Sequence, residues 1–301
     1  MSGIQKKLLD VYGLTTEETG TTQLSGTKCL GFQDMPPTIS CMGDLLFGEI
    51  LFAGVERLLD DTHCCVGAAT EVIDLGMGIG KLCMQVFLSH PHVKRVIGIE
   101  MAPSRAHLAF DAADKLVSLA AASSPVVLEC SYRTMKQLIV KESTTTTTTG
   151  PAPPAPAVAV AVHQKRRRRV VDPMLPRAKR NKRRHSIELT VPPAAASAVV
   201  RTLELRCGDL FDIGADLVSA DIVICQTAFL RTTFTRLCIL LSTMKAGARL
   251  VSYHDIQSIY SDLKVDFPFE RLPANRSSED RFLATWAPLK GHHFHLWVKK
   301  K

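Results

Sequence analysis

The stretch Glu71 to Gly80, EVIDLGMGIG, is answered twenty residues past its last glycine by Glu100, at the end of RVIGIE. Val72, Ile73 and Leu75 make a short apolar run of the length of a buried strand. Gly76, Gly78 and Gly80 follow at alternate positions, where a backbone without Cβ can take positive φ and approach a ligand closely. Leu82, Val86 and Phe87 then recur at helical spacing, so the order is strand, glycine loop, helix. A second apolar run, Val96 to Ile99, ends in Glu100, where a carboxylate at a strand end can accept from both hydroxyls of a ribose. The unit reads as a site for an adenosine-type cofactor.

Spacing narrows the cofactor. The dinucleotide fingerprint asks for glycine where Lys81 stands, whereas the G-x-G-x-G found here is the spacing of S-adenosylmethionine (AdoMet) sites. Methyl transfer is therefore expected ahead of hydride transfer, with Asp74 in register beside the loop.

Composition bounds the rest. A chain of 301 residues, 46% hydrophobic, can bury a sizeable core and carry an accessory segment. Its apolar runs fall well short of the roughly 18 residues of a membrane span, and MSGIQKKLLD has no apolar signal core, so no membrane partner is expected and residence in cytosol or nucleus is. The nine cysteines contain no C-x-x-C pair and one adjacent pair, Cys64 and Cys65, which argues for reduced thiols rather than a zinc or disulfide framework. His254, His292, His293 and His295 lack cysteine or carboxylate ligands at structural spacing and read as strand or surface residues, so no metal is expected.

Charge is concentrated. Lys165 to His185 holds eleven Lys and Arg (Lys165, Arg166, Arg167, Arg168, Arg169, Arg177, Lys179, Arg180, Lys182, Arg183, Arg184) against Asp172 alone, while the remainder has 37 − 11 = 26 basic and 29 − 1 = 28 acidic residues. Without interleaved aromatics the cluster suits phosphate contact without sequence preference, nuclear import, or both.

The chain divides accordingly into an irregular lead-in over 1–44, one α/β domain in two parts, 45–142 and 198–301, and a disordered low-complexity insertion over 143–197 that includes six consecutive threonines. Leu51, Val55, Leu58 and Leu59 predict an amphipathic helix before the first strand, and a longer helix is expected from Pro103 to about Ala122. Thr202 to Cys207, Asp221 to Cys225 and Ala248 to Tyr253 read as further parallel strands, with Trp286 and His292 to Val298 as closing strands, in an antiparallel hairpin. Phe229, Val251 and Tyr253 suit the wall of an apolar channel.

In this order the motifs resemble those of the disruptor-of-telomeric-silencing (DOT-one-type) histone lysine methyltransferases. Phe47-Gly48-Glu49 with Phe52 and Val55 resembles the family's Y-G-E-T-x-F; Asp74 to Gly80 with Gln85-Val86 resembles D-L-G-S-G-V-G and its later Q-V. Gly98-Ile99-Glu100 is similar to G-x-E, Gly208-Asp209 to G-D-F, Ala228-Phe229 to the end of N-N-F-A-F, and Met244 to Ser252 to M-K-E-G-G-R-I-V-S. The resemblance implies a class I AdoMet-dependent methyltransferase fold: a seven-stranded, mostly parallel sheet with helices on both faces, preceded by a short helical or loop segment. It implies cofactor contacts from Phe47, Glu49, Asp74, Gly76, Gly78, Gly80, Lys81, Glu100, Asp209 and Leu210, with Glu49 over the methionine end, Asp209 at the adenine amino group and Leu210 where the family stacks a Phe. Catalysis falls to Cys225 and Gln226, where the family has Asn-Asn, and to Phe229 on the lysine channel; His293 or Phe294 stands for the family's late channel tyrosine. The implied substrate is the globular core of histone H-three in nucleosomes, with the basic cluster on nucleosomal DNA, in the nucleus. RNA or non-histone protein methylation, or a non-catalytic chromatin-binding module, is the alternative. The loop Cys225 to Ala228 lacks the D/N-P-P-Y of base aminomethylation, and the paired glutamates that clamp guanidinium are missing.

Overall fold

The computed structural model describes residues 2–14, 48–123, 127–134, 137–143, 200–272, 281–285 and 287–301, all within one compact unit. Phe47, Trp286 and the whole Lys165 to Arg184 cluster lie outside the described residues, as does all of the expected insertion except Ser143. The elements are α1 (Gly3–Tyr12), α2 (Phe52–Leu59), β1 (Glu71–Leu75), α3 (Lys81–Ser89), β2 (Arg95–Glu100), α4 (Pro103–Ser123), β3 (Val127–Thr134), β4 (Gln137–Ser143), β5 (Val200–Cys207), α5 (Gly214–Leu217), β6 (Ile222–Cys225), α6 (Phe234–Ser242), β7 (Arg249–Ser252), α7 (Ile256–Leu263), β8 (Phe269–Arg271), β9 (Arg281–Ala284), β10 (Ala287–His293) and β11 (His295–Lys299).

The main sheet runs β3-β4-β5-β2-β1-β6-β7-β11-β8. From β5 to β7 every neighbouring pair is parallel, and β11 inserts antiparallel between β7 and β8. The seven strands from β5 to β8 are those of the class I methyltransferase fold, as expected. The antiparallel hairpin β3–β4 widens the β5 edge by two strands that the sequence reading did not assign. All five residues of β1 are buried, the signature of a strand covered on both faces. Side chains alternate between those faces, so Val72 joins one core with α1 to α4 while Ile73 and Leu75 join the other with α6 and α7.

Two expectations need correction. The lead-in is not irregular at its start, because α1 carries a complete capping box between Ser2 and Gln5, ends on a left-handed Gly13, and buries Leu8, Leu9, Val11 and Tyr12. The Thr- and Gly-rich composition begins only after this helix. The closing strands are also divided. β9 and β10 form a separate two-stranded sheet, and β11 alone enters the main one.

The small sheet fixes the segment before α2. Ile50 bridges to Ala284, Leu51 N donates to Leu283 O (2.7 Å), and Thr285 N donates to Glu49 O (2.9 Å). A Cβ on Gly54 would lie 2.5 Å from Leu283 O, so α2 reaches β9 only through glycine. Strand order reverses between β1 and β6, where an open α/β sheet leaves a crevice at the strands' carboxyl ends.

Candidate functional site

The loop after β1 is wound by three left-handed glycines, Gly76 (φ 84°), Gly78 (57°) and Gly80 (81°). A Cβ at Gly76 would overlap the Thr227 hydroxyl, which itself donates to Leu75 O (3.0 Å) and ties the loop after β6 to the loop after β1. Gly76 N and Met77 N both donate to Ile99 O at 2.9 and 3.0 Å. A Cβ at Gly98 would press on Met77 Sδ and Cys83 Sγ, so that glycine serves packing rather than φ.

Glu100 completes the loop. Its Oε2 accepts from Gly78 N (3.0 Å), its Oε1 from Ala102 N (2.8 Å), and Arg105 stands 4.0 Å away. Burial raises its pKa, with Arg105 and the backbone amides pulling the other way. A carboxylate offers about four lone-pair directions; with the Gly78, Ala102 and Met101 amides on it, room is left for a further donor.

Asp74, 1% exposed near the end of β1, carries an unsatisfied acceptor. Its Oδ1 has no partner within ordinary hydrogen-bond distance among the described residues, Oδ2 accepts a long 3.8 Å contact from the Cys83 thiol, and the Gln226 amide lies near enough to favour the charged form. Burial pushes its pKa up to about 7; the Cys83 thiol lowers it, the charge of Glu100 raises it, the Gln226 side chain lowers it and the charge of Glu49 raises it. A buried acceptor left this way invites a donor or a cation.

Glu49 and Lys81 are placed differently from the implied cofactor contacts. Both are buried, and Lys81 Nζ lies 2.6 Å from Glu49 Oε2, so each charge answers the other. Glu49 N also donates to Thr285 Oγ1 (3.1 Å), which fixes its backbone to the small sheet. Leu210 is likewise corrected: it is buried in the core with Ile97 and Ile99, and the aromatic at this turn is Phe211 one residue on. The Phe211 ring carries the Arg236 guanidinium at 4.1 Å and neighbours Phe229 at 6.0 Å. Asp209 caps the turn by accepting from Phe211 N (3.0 Å) and pairs with Arg236 (3.0 Å).

The β6–β7 side is built of neutral and aromatic groups. Cys225 is buried at the end of β6 with its thiol pushed up to about 12 by burial, so it is a neutral wall and not a nucleophile. Phe229 N donates to His254 Nε2 (2.7 Å), which requires that nitrogen to be unprotonated. Burial lowers the His254 pKa and favours the same neutral form. Tyr253 N donates to Cys225 O (2.9 Å), and its ring stacks on His292 at 5.0 Å and 9°. A small concavity beneath this loop is lined by Cys225, Thr227, Phe229, Ser252, His254 and Ile256. Val251 and Phe294 are in the core, and His293 turns its Nδ1 to Phe294 O, so His292 is the late-chain residue that reaches Tyr253. Among the described residues, no three His, Cys, Asp or Glu side chains gather as metal ligands.

The sequence reading missed Thr227, His254 and Tyr12 as site residues. Tyr12 joins the loop through its hydroxyl, which donates to Ile79 O (2.7 Å). For Thr227 the available signal was its place two residues past β6, facing the first glycine.

No family model matches the sequence, and no curated protein matches it. Solved structures match at low identity. The O-methyltransferase TomG of Streptomyces achromogenes, involved in tomaymycin synthesis and solved in complex with SAM, is 12% identical with a TM-score of 0.40 over 100% of both chains. An O-methyltransferase from Bacillus cereus in complex with SAH is 10% identical with a TM-score of 0.41, over 100% of this chain and 98% of that one. Likeness at this level adds nothing to the strand order already described.

Proposed function

We propose that the chain binds AdoMet at the β1–β2 crevice and transfers its methyl group to a lysine amine of a protein substrate. The observation that carries the cofactor reading is the Glu100 carboxylate, held on Gly78 N across a loop of three left-handed glycines with acceptor capacity still free. The residues fit the group. Glu100 can accept from a ribose hydroxyl, the positive-φ loop admits close backbone approach, and the orphaned Asp74 Oδ1 suits a cationic ligand.

Bound there, AdoMet supplies a methyl group on a sulfonium. This chain's residues do the positioning that such a transfer chiefly requires. Asp74, poised near neutrality by burial, gives up its proton more readily once a cation lies beside it. Cys225, Phe229 and Tyr253, with a neutral His254, form a wall that excludes water and disfavours an ammonium, so an incoming amine is pressed toward its neutral nucleophilic form. No side chain need act as a base, because the ammonium gives its proton to bulk water on entry and the neutral amine then takes the methyl group.

The order of motifs from Phe47 to Ser252 supports the finer reading: the globular core of histone H-three in nucleosomes as substrate, with the basic cluster on nucleosomal DNA and a nuclear location. The test is radiolabelled methyl transfer to nucleosomes, free histones and RNA, with calorimetry of AdoMet binding in parallel. Label mapped to a lysine of histone H-three is the expected result. Label on RNA or on another protein would overturn the substrate, and absence of AdoMet binding would overturn the cofactor.

A further inference from the structure

The N-terminal helix touches the glycine loop at one point. α1 packs against α3 and α4, the two helices that flank the loop, and Tyr12 stands in its last turn just before the Gly13 cap. The Tyr12 hydroxyl donates to Ile79 O at 2.7 Å, with Met84 Sδ at 3.4 Å. Its ring lies 6.0 Å from Lys81 Nζ, whose charge is held by Glu49. Burial, and then the charge of Glu49, raise the phenol's pKa well above the ordinary value, so it stays a donor at any working pH.

Ile79 is the residue between the second and third left-handed glycines. The peptide joining it to Gly80 is therefore held at both ends: Tyr12 grips its carbonyl, and its N–H donates to Met77 O (2.9 Å). The peptide turns about Ile79 ψ and Gly80 φ, and Gly80, at φ 81°, has no Cβ to oppose that rotation. A flip would break the bond from Gly80 N to Met77 O, and the peptide that carries Met77 O is the one whose N–H, Gly78 N, donates to Glu100.

From this we infer that Tyr12 is a positioning residue of the cofactor site, fixing the Ile79–Gly80 peptide from outside the glycine loop so that cofactor affinity depends on the N-terminal helix. The inference rests on the cofactor reading above for the identity of the ligand, though not for the behaviour of the loop.

The experiment compares Tyr12→Phe with Val11→Ala in the full chain. Val11 is fully buried in the same turn, so its truncation loosens the packing of α1 without removing the bond to Ile79. Tyr12→Phe should weaken AdoMet binding about tenfold, or about 1.4 kcal/mol, with turnover at saturating AdoMet changed less than about twofold. Val11→Ala should lower the melting temperature at least as much and leave AdoMet affinity unchanged. Amide hydrogen exchange in the ligand-free protein supplies a second readout: Gly78 and Gly80 should exchange at least about fivefold faster in Tyr12→Phe than in Val11→Ala. Equal affinities and equal exchange in the two variants would overturn the inference. If the wild-type chain binds no AdoMet, the proposed function fails, and the exchange rates alone decide the role of Tyr12.

Discussion

The two halves of the crevice are built from opposite materials. On the β1–β2 side, Asp74, Glu100 and Glu49 are buried carboxylates around a loop of left-handed glycines, and Lys81 and Arg105 offset only part of their charge. On the β6–β7 side, Cys225 is a neutral thiol, His254 a neutral imidazole, and Phe229, Tyr253 and His292 supply ring faces. One side is dressed for a charged, hydrogen-bonding ligand and the other for a group that must arrive uncharged. Changes on the first side should therefore act on cofactor affinity, and changes on the second on transfer.

The largest effect should come from the glycine loop. Gly76→Ala places a methyl group on the Thr227 hydroxyl at a backbone angle that L residues avoid, and should cost about 3 kcal/mol or more in stability and abolish measurable AdoMet binding. Gly208→Ala is the matched control, because a Cβ there meets nothing within 4 Å; it should change stability by less than about 0.5 kcal/mol. Denaturant unfolding and calorimetry of both variants check this. Equal penalties would mean that the positive φ of Gly76 is not a constraint.

Next comes Glu100. Glu100→Ala removes the acceptor of Gly78 N and Ala102 N as well as the proposed ribose contact, and should weaken AdoMet by about 2 kcal/mol, roughly thirtyfold. Asp209→Ala, which loses an exposed cap and its pairing with Arg236, should weaken it by less than about fivefold. Calorimetric titration of folded variants separates the two carboxylates.

Asp74 predicts effects of opposite sign on stability and on binding. Its folded pKa is raised above the unfolded value, so the folded state binds the extra proton, and the stability present at low pH is lost as pH rises from about 4 through about 7. Asp74→Asn should gain almost nothing near pH 4 and up to about 4 kcal/mol near pH 7, with no further gain above. The same variant should weaken AdoMet at pH 8, and in the wild type AdoMet affinity should fall as pH drops below 7, because a protonated Asp74 offers no charge. Urea unfolding across pH 4 to 8 and titration at pH 6 and 8 give the measurement. A destabilised variant at pH 8 would show that Asp74 is satisfied by a partner in solution.

Legibility in the sequence followed the same division. The β1–β2 half could be read because its chemistry is local: strand, alternate glycines and terminal acid lie within thirty residues, from Glu71 to Glu100. The β6–β7 half depends on partners that spacing does not reveal, such as Phe229 N on His254, 25 residues on, and Tyr253 on His292. What was not legible in the first half was also long-range. The Lys81–Glu49 pair closes across 32 residues, and Tyr12 reaches Ile79 across 67. Leu210 failed by one place, because the turn buries that residue and presents Phe211. The strands of the parallel core were legible as apolar runs because each is covered on both faces. The β3–β4 hairpin has an apolar run of its own, Leu138-Ile139-Val140, but it stands beside the low-complexity tract and its partner strand Val127–Thr134 carries only a weak apolar pattern.

The smallest effect should come from His254, and it would test the division most finely. The bond from Phe229 N needs an unprotonated Nε2, and its ring neighbours Phe229, Phe234 and Tyr253 bring no charge that would stabilise an imidazolium. Burial lowers the folded pKa below the unfolded value of 6.5, so the stabilising neutral form is complete above that value and is lost as pH falls below it through the folded pKa. Protonation breaks the bond and frees the loop that carries Gln226 and Phe229, which belongs to transfer and not to cofactor binding. Turnover at saturating AdoMet should therefore fall about threefold between pH 7.5 and 5.5, in line with the loss of about one ordinary hydrogen bond from part of the population. His254→Gln keeps an acceptor that does not titrate in this range, and should flatten this part of the profile while leaving AdoMet affinity at pH 7.5 unchanged. A pH–turnover curve for wild type and variant, each at saturating AdoMet so that Asp74 does not contribute, gives the answer. A variant that lost cofactor affinity instead would place His254 on the charged side of the crevice and break the comparison.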